Sequence, residues 1–178
     1  MKKIPTIFER DFGNDPSRVL SKPNPVCDWV FAGQGVPTRK YDGTCCMFDG
    51  STWWKRREVK EGKPDPEGFR LADADTVTGK RVGWEPVTEL DRWHREAIET
   101  APAEPGTYEL VGPKVQGNPE GEQRHRMVSH AEAEILDDVP RTFDGLAVYL
   151  EDFPGEGIVF HHPDGRMAKI KRRDFGFR

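Results

Sequence analysis

The sequence predicts an α+β domain in which antiparallel hairpins dominate and two or three helices pack outside. Three observations carry this. Short runs rich in β-branched and aromatic residues recur, separated by turn signals such as Asp49-Gly50 and Pro163-Asp164-Gly165. Apolar residues at helical spacing occur clearly in only two places, 89–99 and from Phe143 onward. The 178 residues contain no internal repeat, low-complexity tract or dividing linker, so one domain spanning 1–178 is expected.

Residues 1–25 are rich in Pro and polar side chains around Ile4, Ile7 and Phe8, and are expected to form a loop-rich lead-in. Residues 26–31 read as a short strand closed by Gly33 and Gly35. Residues 44–48 form a strand, Asp49-Gly50 a hairpin turn, and 51–59 the return strand carrying Trp53, Trp54 and Arg56. Two prolines and two glycines make 61–68 an exposed loop, and 84–87 is a further short strand. Thr88, with Asp91 three residues on, caps a helix over 89–99. Pro102, Pro105 and Gly106 end that helix.

Residues 107–111 form a strand and 117–122 a turn-rich loop. Residues 126–130 read either as a strand or, with Ser129 as cap, as the start of a helix to Leu136. Thr142 caps a helix marked by Phe143, Leu146, Ala147 and Leu150. Residues 157–162 and 166–172 form the last hairpin. A two-residue loop there sets residue 156 opposite 171 and gives Glu156 the facing of Lys169 and Lys171. A three-residue loop with a bulge shifts the register by one and loses that facing.

Hydrophobic residues make up 35% of the chain and charged residues 33%, polar but globular, since five Trp and ten Phe are spread along it. A net charge of −4 argues against binding nucleic acid through the whole surface. The cations cluster instead, in Lys55, Arg56, Arg57 and Lys60, and in Arg166, Lys169, Lys171, Arg172, Arg173 and Arg178. Such patches bind phosphate locally because screening shortens the reach of the remaining charge. Three cysteines, with Cys45 and Cys46 adjacent, make neither a disulfide framework nor a simple metal pair, because neighbours on a strand face opposite ways. They fit a reducing cytosol. With no signal peptide or membrane-spanning run, a soluble, cytoplasmic protein is expected.

The stretch from Thr38 to Thr44 holds Lys40-Tyr41-Asp42-Gly43, a candidate nucleophile followed by a carboxylate and a glycine. A lysine amine attacks only when deprotonated. Lowering its pKa from about 10.4 to near 7–8 takes about 4 kcal/mol of differential stabilisation. Nearby cations supply that, and Arg39 is adjacent in sequence. Taken alone, the four residues also fit a strand end turning at Asp42-Gly43. The rest of the chain sharpens the reading, because Arg56, Glu109-Leu110-Val111-Gly112, Glu156-Gly157-Ile158-Val159 and Lys169-Ile170-Lys171 come after it in that order. Carboxylates suit Mg²⁺, and lysines and arginines neutralise phosphate.

This order resembles the covalent nucleotidyltransferase superfamily of RNA ligases, DNA ligases and mRNA capping enzymes. Lys40-Tyr41-Asp42-Gly43-Thr44-Cys45-Cys46, Gly83-Trp84-Glu85-Pro86-Val87, Asn118-Pro119-Glu120-Gly121 and Glu156-Gly157-Ile158-Val159-Phe160-His161 look like the compact 5′–3′ RNA ligase 1 family. The likeness runs from about Thr38 to the C-terminus.

The resemblance implies an ATP-grasp-like adenylation domain with no appended OB domain. It implies a reaction through lysyl-AMP on Lys40, then AMP on an RNA 5′-phosphate, then sealing by a 3′-hydroxyl. Thr38, Arg39, Asp42, Gly43, Arg56, Glu109, Glu156, Lys169 and Lys171 would bind the nucleotide with Lys40. Glu109 and Glu156 would hold Mg²⁺ or Mn²⁺, and Arg172, Arg173 and Arg178 would contact RNA. His161, where larger relatives carry a lysine, reads as a plain strand histidine. For the adenine-stacking position, Phe143 and His130 are the two candidates, Phe143 having the spacing of a core residue. Another nucleotidyltransferase, of DNA-joining or capping type, and a non-catalytic RNA-end binder are the alternatives.

Overall fold

The computed structural model describes residues 3–76 and 78–177. Its architecture is α+β, with mostly antiparallel sheets and few helices. In chain order come β1 (Phe8–Asp11), β2 (Asp15–Pro23), a 3₁₀ turn (Pro25–Cys27), α1 (Asp28–Phe31), β3 (Val36–Lys40) and β4 (Thr44–Phe48). Next are β5 (Trp53–Val59), β6 (Arg70–Ala74), β7 (Arg81–Pro86), α2 (Arg92–Ile98), β8 (Gly106–Val111) and β9 (Arg126–Ser129). A second 3₁₀ turn (His130–Glu132), α3 (Phe143–Glu151), β10 (Gly157–His161), β11 (Met167–Lys171) and α4 (Arg172–Phe175) complete the order. Two compact units emerge, one of Asp42–Glu132 and one of Ile4–Tyr41 with Ala133–Arg178.

The Asp42–Glu132 unit is built on an antiparallel sheet of order β6-β7-β5-β4-β8-β9. Side chains alternate across it. Cys46, Tyr108, Leu110 and Met127 fill one face, joined by Ala97 of α2 and by Val115. Phe48 stacks on Trp53 there at 5.0 Å. The β4–β5 turn is held as its Asp-Gly signal suggests, with the Asp49 carboxylate accepting from the amides of Ser51 and Thr52 at 3.0 and 2.8 Å. Helix α2 starts later than its spacing suggests. Asp91 Oδ2 accepts from the amide and hydroxyl of Thr88 at 2.8 and 3.0 Å, so residues 88–91 form a turn of their own. Of the two readings for 126–130, the strand is found.

The other unit holds a three-stranded sheet of order β11-β10-β3 and the β1-β2 hairpin. Ile7, Phe8, Trp29, Val30, Leu146, Leu150, Ile158, Phe160 and Ile170 form its core. Burying each large side chain stabilises it by about 1.5–3 kcal/mol. The helix from Phe143 has Thr142 as its cap, whose hydroxyl accepts from the Gly145 amide at 3.2 Å.

Two expectations are corrected in this unit. The lead-in is a hairpin, not a loop. Pro16 and Pro23 are tolerated because β2 pairs on one side only, and Val19 is its single buried residue. Ahead of it, Ile7 N–H donates to Lys169 O at 3.0 Å and Lys169 N–H to Pro5 O at 2.9 Å, so the N-terminus extends the sheet beside β11. Residues 26–31 are helical rather than extended. Asn24 accepts from the Val26 amide at 3.3 Å and Pro25 occupies the first position, which together start a helix. No helix among the described residues is long and apolar enough to cross a membrane.

Candidate active site

Strand register assembles a lysine face in the unit of Ile4–Tyr41 and Ala133–Arg178. Gly157 of β10 lies between Lys40 of β3 and Lys171 of β11, and Val159 lies between Thr38 and Lys169. Alternation therefore puts Lys40, Lys169 and Lys171 on one face, while Ile158, Phe160, Ala168 and Ile170 point into the core. Gly157 is required by close approach, since a Cβ there would stand 2.2 Å from the Ile170 carbonyl oxygen.

The hairpin after β10 has a three-residue loop. His162 N–H donates to Arg166 O at 2.9 Å, and Gly165 adopts φ +90°. Residue 157, not 156, is thus opposite 171. Glu156 precedes the ladder, so alternation does not fix its facing, and its carboxylate reaches the lysines from the strand end. Oε2 pairs with Lys40 Nζ and Oε1 with Lys171 Nζ. The Glu156 carbonyl also accepts from the Arg172 amide at 3.0 Å.

Burial opposes ionisation of Glu156, but the ammonium groups of Lys40 and Lys171 outweigh it and hold its pKa below the ordinary value. Burial, with repulsion from Lys171 and Lys40, pushes Lys169 down to about 8. Burial and Lys40 also lower Lys171, against the pull of Glu156. Among the described residues no carboxylate pairs with Lys169. Two of the three lysines thus share one acid, and the positive charge on this face would attract an anion.

Thr38 is buried on the same face. Its hydroxyl donates to Val159 O at 3.3 Å and meets His161 Nε2 at 3.0 Å, so His161 serves a strand contact. Arg39 belongs to the opposite face, where Nη2 donates to Pro154 O at 3.2 Å, just ahead of Glu156. The cations close to Lys40 are therefore Lys171 and Lys169, not its sequence neighbour.

In the Asp42–Glu132 unit, Cys45 pairs with Glu109, and continuing the β4–β5 register sets Cys45 beside Arg56. Arg56, Cys45 and Glu109 form one row on the sheet face opposite the core. Glu109 is buried, and His130 Nε2 lies 3.1 Å from its Oε2. His130 Nδ1 lies 3.0 Å from Thr107 Oγ1. With the carboxylate accepting, His130 Nε2 is the donor of that contact. His130 thus orients Glu109, a role its sequence position did not reveal. Arg56 Nε is buried with no hydrogen-bond partner. The Asp42 amide donates to Glu120 Oε1 at 2.8 Å. Gly43 packs so tightly on β8 that a Cβ would lie 2.1 Å from Leu110 O.

The remaining candidates divide. Phe143 is core, packed edge-on against Phe8 and Phe175 at 5.1 Å each. Arg172 opens α4 rather than extending the strand, and its guanidinium donates to Leu150 O at 3.0 Å and Glu151 O at 2.8 Å, closing the end of α3. Arg173 is exposed, and Arg178 lies outside the described residues.

Mg²⁺ takes few protein ligands and completes its shell with water and phosphate oxygen. Among the described residues no group of three or more His, Cys, Asp or Glu side chains could hold a metal. Glu109 and Glu156 each offer the hard oxygen such an ion prefers. Glu156 would exchange a lysine contact for it. No protein-family model and no curated protein matches the chain.

Proposed function

We propose that the chain is an ATP-dependent RNA ligase with an ATP-grasp-like adenylation fold, acting in the reducing cytosol. The observation that supports this best is the face shared by Lys40 of β3 with Lys169 and Lys171 of β11, which the carboxylate of Glu156 reaches from just ahead of β10. The surplus ammonium charge suits the α-phosphate of ATP, and Lys40 is the amine at the edge of that cluster.

Lys40 Nζ, once deprotonated, attacks the α-phosphorus. A P–N bond forms, the bond from phosphorus to the bridging oxygen breaks, and pyrophosphate leaves with that electron pair. The amine sheds its second proton to solvent as lysyl-AMP forms. Lys169 and Lys171 stabilise negative charge on the phosphoryl oxygens. Lys40 Nζ is paired with Glu156, and that contact must open before attack. An RNA 5′-phosphate then takes AMP from Lys40, and a 3′-hydroxyl displaces AMP to seal the strand. Glu109 and Arg56 take the ribose and phosphate roles that the resemblance gives them. Bound at Glu156 or Glu109, Mg²⁺ or Mn²⁺ would neutralise phosphate charge.

The test is intact mass after incubation with ATP and Mg²⁺. Wild-type protein is expected to gain one AMP, and Lys40→Ala and Lys40→Arg none, since guanidinium stays charged. An RNA-end binder gains no AMP in any form. A GTP arm separates a ligase from a capping-type enzyme, and a panel of 5′-phosphorylated RNA and DNA ends separates RNA joining from DNA joining.

A further inference from the structure

We propose that Asp174 is a positioning residue for Lys171, held in place by Arg10 of the N-terminal hairpin; this rests on reading Lys171 as a contact to the α-phosphate. The likeness to the ligases begins near Thr38, so it gives the hairpin no role. Strand β11 has β10 on one side, and residues 5–7 run along the other. On that outer side the Lys169 amide donates to Pro5 O at 2.9 Å, and its carbonyl accepts from Ile7 N–H at 3.0 Å. Alternation sends the Lys171 amide the same way, and a continued parallel ladder would give it the Ile7 carbonyl. That carbonyl instead accepts from the Asn24 amide at 2.8 Å. Lys171 is buried, so its amide needs another acceptor. Asp174 Oδ2 takes it at 2.9 Å.

A carboxylate as buried as Asp174, 1% exposed, requires a cation. Arg10 of β1 supplies it, with Nη2 at 2.8 Å from Oδ1, an ionic contact without hydrogen-bond alignment. The guanidinium is itself held, donating to Ser17 O at 2.9 Å and Thr6 Oγ1 at 3.2 Å. Arg18 of β2 donates to Phe175 O, so the hairpin grips α4 twice. The amide of Arg172, next after Lys171, donates to Glu156 O at 3.0 Å. The amides on both sides of the Lys171 Cα are therefore fixed, one by Asp174 and one by Glu156. That Cα aims the ammonium group that Glu156 holds on the lysine face.

The experiment compares Asp174→Ala with Asp174→Asn, which keeps an acceptor oxygen, and Arg10→Ala with Arg10→Lys, which keeps the charge. Two quantities are read: hydrogen exchange of the Lys171 and Lys169 amides in ligand-free protein, and single-turnover lysyl-AMP formation across an ATP series. In Asp174→Ala, Lys171 exchange should quicken about tenfold or more relative to Lys169, the value of one charge-assisted hydrogen bond. The maximal rate of adduct formation should fall by a similar factor, with ATP half-saturation within about twofold, because Lys171 acts on charge that develops in the transition state. Asp174→Asn should restore most of both. Arg10→Ala, at a partly exposed position, should move both quantities the same way by a smaller factor, and Arg10→Lys should restore them. Unchanged Lys171 exchange in Asp174→Ala, or in Arg10→Ala if Asp174→Ala does not fold, overturns the contact. Equal quickening at Lys169 and Lys171 overturns the proposal too, since Asp174 would then serve only the stability of the unit. Faster Lys171 exchange with an unchanged maximal rate overturns the positioning role. If wild-type protein forms no adduct, the ligase reading falls and takes the positioning role with it, while the exchange measurement still decides the contact.

Discussion

In the unit of Ile4–Tyr41 and Ala133–Arg178, three lysines share a sheet face with one carboxylate, Glu156. In the Asp42–Glu132 unit, one carboxylate, Glu109, shares its row with Arg56 and is held by His130. The first face carries surplus positive charge that burial makes expensive, and an anion would relieve it. The second is held by the contact between His130 and Glu109, and it offers an oxygen to a hydroxyl or a cation.

Removing the counter-ion should break the first face most severely. Glu156→Ala leaves two largely buried ammonium groups without their acid, and loss of one partner of such a pair costs about 3–5 kcal/mol. Denaturant unfolding should show that loss, and adduct formation should drop at least about a hundredfold, the expected penalty for misplacing a reacting group. The pH dependence has a definite sign. Glu156 is held below its unfolded pKa, so its contribution is complete above about 4.3 and disappears as pH falls through the lower folded value. Wild-type and Glu156→Ala stabilities should therefore converge in acid.

Lys169 sharpens the same comparison with the opposite sign. Its folded pKa of about 8 lies below the unfolded value, so the folded state pays for its charge at neutral pH and is relieved as pH rises from about 8 to about 10.4. Lys169→Met should raise stability at neutral pH by up to about 3 kcal/mol and lose that advantage near pH 10.4, while abolishing lysyl-AMP formation. A neutral-pH stability no higher than wild type would show that the face carries no surplus charge. In the other unit, Glu109→Ala should slow adduct formation by at least about tenfold, and His130→Ala by less, because His130 acts only by orienting the acid. Equal losses would give His130 a direct role.

The smallest effects concern the C-terminal arginines. Arg172→Ala removes two hydrogen bonds to the end of α3 and should lower stability by about 1–2 kcal/mol. Arg173→Ala should leave stability within about 0.5 kcal/mol, preserve lysyl-AMP, and weaken RNA sealing with a shallower salt dependence. Loss of lysyl-AMP in Arg173→Ala would place it with the nucleotide instead.

Much of the fold was legible where a period was sustained. Residues 44–48, the Asp49-Gly50 turn and the Thr142-capped helix are where their patterns put them, because one face of each is buried. The N-terminal hairpin was hidden by Pro16 and Pro23, which argue against a strand unless it lies at an edge. The 26–31 segment has strand composition but helical capping. For the lysine face, residue types were legible and the two hairpin registers were narrowed to a pair. The loop that decides between them is fixed by Gly165. Arg39 misled because sequence adjacency in a strand means opposite faces. Arg172 looked like free charge because its carbonyl partners at Leu150 and Glu151 are distant in sequence.

Lys169, with the lowered pKa, is the rival to Lys40 for covalent chemistry, and one measurement separates them. Wild-type protein is incubated with ATP and Mg²⁺, digested, and the AMP-bearing peptide is sequenced by mass spectrometry, with Lys40→Ala and Lys169→Met in parallel. AMP is expected on Lys40 alone, with none on either variant. AMP on Lys169, or an adduct that survives in Lys40→Ala, would contradict the assignment of Lys40 as the nucleophile.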